Sequence, residues 1–123
     1  MGKAIIIHLL TDGHATDRSG NEDMRSLQNQ IKNRSFPGKT YFSIVLCIED
    51  DAVEKAYGYI EKATNVDVSS NYRCEAREVR ECQGGNYKFT YGDYVAKIMV
   101  GCYDKTLGDL DKPRRGGGCC TIA

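Results

Sequence analysis

From Ala4 to Leu10 the chain is apolar at every position but His8, and the run stops abruptly at Thr11-Asp12-Gly13. A strand with one wet face alternates apolar and polar residues, whereas a strand covered on both faces reads as a continuous apolar run. Three consecutive isoleucines favour strand over helix, because branching at Cβ restricts χ1 in a helix. The run therefore predicts a strand at the centre of a parallel sheet, with His8 a satisfied core histidine and Asp12 just past the C-terminal end. Open α/β sheets gather their ligand chemistry along that edge.

The rest of the chain alternates around this strand. Ser19 and Glu22 have the spacing of a capping box, opening a helix with Met24, Leu27 and Ile31 on one face. Its acids, Glu22 and Asp23, fall in the first turn and its bases, Lys32 and Arg34, in the last, complementing the macrodipole. Pro37-Gly38 stops it. Thr40 to Ile48 reads as a second strand containing Cys47. Asp51 with Glu54 is placed to cap a helix that carries Val53, Ala56, Tyr57 and Ile60. Val66-Asp67-Val68 is a short third strand, Tyr72 to Cys82 a short helix, and Gln83 to Gly92 a loop. Asp93 caps a last helix whose apolar face is Val95, Ile98, Met99 and Cys102. Strands alternating with helices predict an α/β chain with a doubly wound, Rossmann-like parallel sheet. A first strand so apolar wants neighbours on both sides, yet only two other strands follow. The sheet reads as half of a larger one, with a half-domain over 3–103 and a flexible tail over 104–123.

Composition narrows the function classes. Lys plus Arg and Asp plus Glu number 17 each, so no global field points to nucleic acid or to a basic partner. No apolar run approaches the roughly 20 residues a spanning helix needs, and the first residues lack the pattern of a secretory leader. Of the six cysteines, Cys47 and Cys102 sit in strand and helix patterns where a thiol behaves as a small buried apolar group. Cys74 and Cys82 have no zinc-site spacing. Reduced thiols in a cytosolic setting are expected.

The run AIIIHLLTDGHATD resembles the fourth strand and following loop of a von Willebrand factor type A domain. SIVLCIEDDAVEKAYGYI is similar to that fold's fifth strand and next helix. VDVSSNYRCEAREV and FTYGDYVAKIMVGCYDKTLGDLD are similar to the closing segments of an intracellular subgroup of these domains. The likeness covers Lys3 to Asp111. It implies the C-terminal half of such a domain, a non-enzymatic intracellular module that binds a protein or ligand. The family holds a divalent cation, usually magnesium, with a D-x-S-x-S loop, a threonine from a later loop and the aspartate of T-D-G. Only the last maps here, onto Asp12, so the resemblance implies weak Mg2+ binding unless the other elements are supplied. Asp17-Arg18-Ser19-Gly20-Asn21 departs from D-x-S-x-S in its last residue and follows the wrong strand.

Other readings remain open from the residues. Asp12 alone reads as a turn residue bonding local backbone N–H groups. Asp12 and His14 beside a sheet edge could serve as acid and base in a small hydrolase, although no nucleophile is spaced with them. The chain could also be an inactive truncated fragment. An open apolar edge on the first strand would promote self-association. At the C-terminus, Cys120-Thr121-Ile122-Ala123 fits the C-a-a-X pattern for prenylation of Cys120. Gly116 to Gly118 provide an unhindered approach, Cys119 could take a palmitoyl group, and Lys112, Arg114 and Arg115 form a small cationic patch. Two such signals are what stable anchoring requires. The expectation is a module on the cytoplasmic face of a membrane, or, without the lipid, one free in the cytoplasm.

Overall fold

The structure, a computed structural model, describes residues 2–113. The elements run β1 (Ile5–Thr11), α1 (Met24–Lys32), β2 (Thr40–Leu46), α2 (Asp51–Glu61), β3 (Val66–Ser69), α3 (Tyr72–Gln83), α4 (Tyr91–Val100) and α5 (Lys105–Gly108). The three strands form one parallel sheet in the order β1-β2-β3. The chain is thus α/β with the parallel sheet its alternation predicts.

Register sorts the side chains between two faces. Ile5 pairs with Thr40 and Thr11 with Leu46, while Phe42 pairs with Val66 and Val45 with Ser69. On one face Leu9, Phe42, Ile44, Leu46, Val66 and Val68 meet Met24, Leu27 and Ile31 of α1 and Val53, Tyr57 and Ile60 of α2. Both crossover helices therefore lie on this face. The opposite face of β2 and β3 carries Ser43, Asp67 and Ser69, all buried, and receives α4. Beside α4, α3 contributes Ala76 and Val79 to a second, smaller core with Phe89 and Tyr94.

The position of β1 is the one the half-sheet reading expects, with the strand that a complete sheet would cover lying at an open apolar edge. The central strand is β2, and β1 lies at the edge, with Ile5 58% and Leu10 67% exposed. Each βαβ step moves in the same direction across the sheet, so the first strand is left at one border. Its composition is that of a covered strand, but its outer edge has no neighbour among the described residues. His8 is exposed for the same reason and is not a core histidine.

Helix starts differ by a few residues from the sequence reading. Asp17, not Ser19, organises the turn before α1: its carboxylate accepts from the Ser19 and Asn21 backbone N–H groups at 2.8 and 2.9 Å. Gly20 takes φ +84°, a left-handed value that favours glycine. Thr16 and Glu22 form an antiparallel bridge, so the helix begins later, capped by Asp23 accepting from Ser26 N–H at 3.1 Å. Its C-terminal end is tied by Arg34, whose guanidinium donates to the carbonyls of Ile31, Thr40 and Thr64. Asp50 rather than Asp51 caps α2. Thr90 caps α4 in a capping box with Asp93 at the third helical position.

Two further corrections concern burial. Strand β2 ends at Leu46, so Cys47 falls outside it and is exposed, whereas Cys102 is fully buried as expected. In α4 the buried residues are Tyr94 and Lys97, while Val95 and Met99 face outward at 38% and 50% exposure. The packed chain also extends past residue 103. Leu110 packs on the smaller core, and α5 presses Gly108 against Gly101 so closely that a Cβ on Gly108 would clash with the Gly101 carbonyl.

Candidate functional site

Two places concentrate chemistry: the β1 edge with the loop at its C-terminal end, and a buried ionic cluster beneath α4. The loop is fixed by Thr11, whose hydroxyl donates to the Gly13 carbonyl at 3.0 Å, and by Tyr57 from α2, whose hydroxyl donates to the same carbonyl at 2.9 Å. Tyr57 is itself buried in the main core, so the loop is held from below. Asp12 projects from this support into solvent, and its carboxylate makes no hydrogen bond or ion pair with the described residues. The turn bonds expected of Asp12 are made by Thr11 instead. His14 faces Glu22, with Nδ1 3.6 Å from the carboxylate. The loop thus pairs His14 with Glu22 and leaves Asp12 alone.

Magnesium takes near-octahedral oxygen ligation and surrenders water reluctantly. A single exposed carboxylate does not fit that demand, so Asp12 with the described residues is no magnesium site by itself. Among the described residues, the acidic atoms close enough to share an ion belong to Glu75, Glu78 and Asp111, far along the chain from Asp12.

That second place is already filled by a cation. Lys97 is fully buried, and its ammonium lies 2.7 Å from Glu75 Oε1, 3.5 Å from Asp67 Oδ2 and 3.5 Å from Asp111 Oδ2, with Ser69 Oγ also at 3.5 Å. The cluster ties β3, α3, α4 and the C-terminal turn together. Burial pushes the Asp67 carboxyl up to about 6, against the opposing pull of Lys97. Burial raises Glu75 further, to about 8, with Lys97 opposing and Asp111 reinforcing the shift. For Lys97 burial alone would favour the neutral amine, but Glu75, Asp67 and Asp111 reverse that and hold it charged above the ordinary lysine range. A divalent ion at Glu75 and Asp111 would sit against this ammonium. The cluster therefore acts as an internal ion lattice, and we assign it a structural role.

Lys112 completes the lattice from outside. Its ammonium is 3.4 Å from Asp109, 3.5 Å from Glu61 and 3.8 Å from Asp67. Lys112 is thus drawn inward to acids, which leaves the proposed cationic patch to Arg114 and Arg115. Those two, with Cys119 and Cys120, lie outside the described residues.

Sequence reading missed the lattice. Its signals were Asp67 between two valines of a buried strand and Lys97 inside the apolar stretch Tyr94–Val100. Each breaks a local pattern, but their meeting depends on β3 and α4 packing together.

Neither a family model, a curated protein nor a solved structure matches the chain. The fold and site define it, over the described residues, as an α/β chain with a three-stranded parallel sheet, an exposed apolar edge strand and a buried ion lattice.

Proposed function

We propose that the chain is a non-enzymatic protein-binding module of the von Willebrand A type, which binds through the open edge of β1 and the loop around Asp12. The observation that carries this reading is the edge itself. Strands of parallel sheets are ordinarily covered, yet here Ile5, Ile7 and Leu10 are exposed on a strand whose outer border has no partner among the described residues. The resemblance of AIIIHLLTDG to the fourth strand of that fold, where the same border is paired, supports it. Natural edge strands are commonly guarded by charge, proline or a bulge, and Ile5 to Thr11 contains no Lys, Arg, Asp, Glu or Pro. Asp12 adds one carboxylate at the end of this surface, and a metal would bind there only with oxygens from another source. Lipid on Cys120, with Cys119 as a second acylation site, would place the module on the cytoplasmic face of a membrane.

The test is comparative capture. The chain and its Leu10→Glu variant are immobilised and exposed to extract from the native host, with retained proteins quantified by mass spectrometry. Leu10 is two-thirds exposed, so the variant keeps the fold, which its thermal melt verifies. Proteins held by the chain and lost from the variant are expected. Identical retention by the two would overturn the edge as a binding surface.

A further inference from the structure

Helix α3 sorts its charges between two sides. Arg73, Arg77 and Arg80 recur at the four- and three-residue spacing that lines up one helix face, and all three are exposed. Glu75 is buried and Glu78 half-buried on the inner side, where both approach Asp111. Glu81 is the one exposed acid beside the arginines, so the outer face keeps an excess of positive charge. Among the described residues, none of the three guanidinium groups has a carboxylate within salt-bridge distance. The loop that follows is fastened along this helix, because Arg80 and the Tyr72 hydroxyl both donate to Phe89 O, at 3.4 and 3.1 Å. It brings exposed Lys88 close to Arg80 and adds the exposed rings of Tyr87 and Tyr91.

We propose that this face of α3 is a docking surface for the anionic headgroups of a lipid bilayer, and that it acts together with a prenyl group on Cys120. The inference rests on the lipid anchor proposed above and supplies the second signal that such an anchor needs. One lipid chain binds only marginally, and Lys112 is engaged by Glu61, Asp67 and Asp109. Charge sets the sign of the occupant, since each exposed cation at an anionic bilayer adds about fivefold in binding. Tyrosine rings suit the headgroup level, where the ring is covered and the hydroxyl stays wet. Chain geometry selects a bilayer over a soluble acid. The segment leading to the tail is held at the last turn of α3: Cys82 Sγ donates to Asp111 O at 3.3 Å and Gln83 Nε2 to Leu110 O at 3.0 Å. From Lys112 to Cys120 a chain spans at most about 28 Å, well over the roughly 12 Å width of a helix. A lipid on Cys120 and the arginines of α3 can therefore meet one membrane together, which makes the second contact intramolecular.

The test attaches the lipid chemically, so that it does not depend on what the native host does to Cys120. On a background of Cys47→Ser and Cys119→Ser, with Cys74, Cys82 and Cys102 buried, the full chain is alkylated at Cys120 with farnesyl bromide. Its binding to phosphatidylcholine vesicles is measured by co-sedimentation, with and without phosphatidylserine. Tighter binding to the anionic vesicles, weakening as salt rises, is expected. Arg73→Gln with Arg77→Gln and Lys88→Gln should weaken anionic binding about a hundredfold, at an unchanged melt, and leave binding to neutral vesicles as it was. Arg25→Gln with Lys39→Gln and Lys55→Gln removes equal charge from exposed positions elsewhere and should keep the preference. Equal binding to both kinds of vesicle would overturn the proposal, as would equal losses in the two triple variants. Indifference to vesicles with retention on heparin, lost in the α3 variant, would replace the bilayer with a soluble polyanion. A native Cys120 found without lipid would sink the anchor alone, because the alkylated chain still reads the α3 face.

Discussion

At the scale of single residues, the most consequential side chain is Lys97. A lysine without solvent exposure persists only where carboxylates repay its desolvation, and three do so. Replacing it with methionine leaves Asp67, Glu75 and Asp111 buried without their cation, and at pH 7 should cost about 3–5 kcal/mol of unfolding free energy. Urea titration measures it. The lattice also sets a pH dependence. Glu75 rises from 4.5 to about 8 and Asp67 from 3.8 to about 6, so the folded chain binds more protons than the unfolded one across those intervals. Stability must then fall as pH rises from about 4.5 to 8. Thermal melts should be highest near pH 5. Below 3.8 the carboxylates of Asp17, Asp23 and Asp93, whose pKa values are lowered by their hydrogen bonds, lose their contribution as they protonate. In Glu75→Gln the slope between pH 5 and 8 should flatten. An unchanged slope would show that Glu75 is not the group responsible.

At the scale of elements, the end of α4 and the short α5 are joined backbone to backbone. A Cβ on Gly108 would meet the Gly101 carbonyl, and one on Gly101 would meet the Lys97 carbonyl and approach the Gly108 Cα at 3.3 Å. Neither glycine has a left-handed φ, so close approach rather than turn geometry demands them. Gly108→Ala should therefore destabilise the chain by about 1–3 kcal/mol, the usual cost of forcing extra atoms into a packed site. Gly58→Ala is the control, because a Cβ there meets nothing within 4 Å. It lies inside α2, where alanine is the better helix former by about 1 kcal/mol. Denaturation of the two variants should thus move in opposite directions. Equal behaviour would mean that the α4–α5 contact is loose.

At the scale of the whole molecule, β1 and β3 are the edge strands of the sheet and β1 is the exposed one, while the ionic lattice clasps the segment up to Lys112. None of the helices among the described residues is long and apolar enough to cross a membrane. In the reading proposed above, attachment would need a prenyl group on Cys120, and one chain gives only marginal binding unless a second signal joins it. Mass spectrometry of protein from the native host is expected to find Cys120 prenylated and Thr121-Ile122-Ala123 removed. Cys120→Ser should shift the protein from the membrane fraction to the supernatant. An unmodified Cys120 with the terminal residues intact would leave the module without an anchor.

The sequence by itself determined the local elements. The strands of branched residues and the amphipathic faces of α1 and α2 follow from periodicity and Cβ branching, and the helix read over Tyr72 to Cys82 ends one residue later, at Gln83. Interactions of short range also left legible traces in the caps, though Asp23 displaced Ser19 and Thr90 displaced Asp93, because competing acceptors in one loop differ only in geometry. Tertiary structure alone decided that His8 is exposed and which face of α4 is buried. A run such as Ile5 to Leu10 records that a strand is apolar, but not which neighbours cover it. Val95 and Met99 were the apolar choice for the core, yet Lys97 took that place. The desolvation of a lysine is offset only by carboxylates from β3, α3 and the C-terminal turn, and those come within reach only when the sheet and helices have packed.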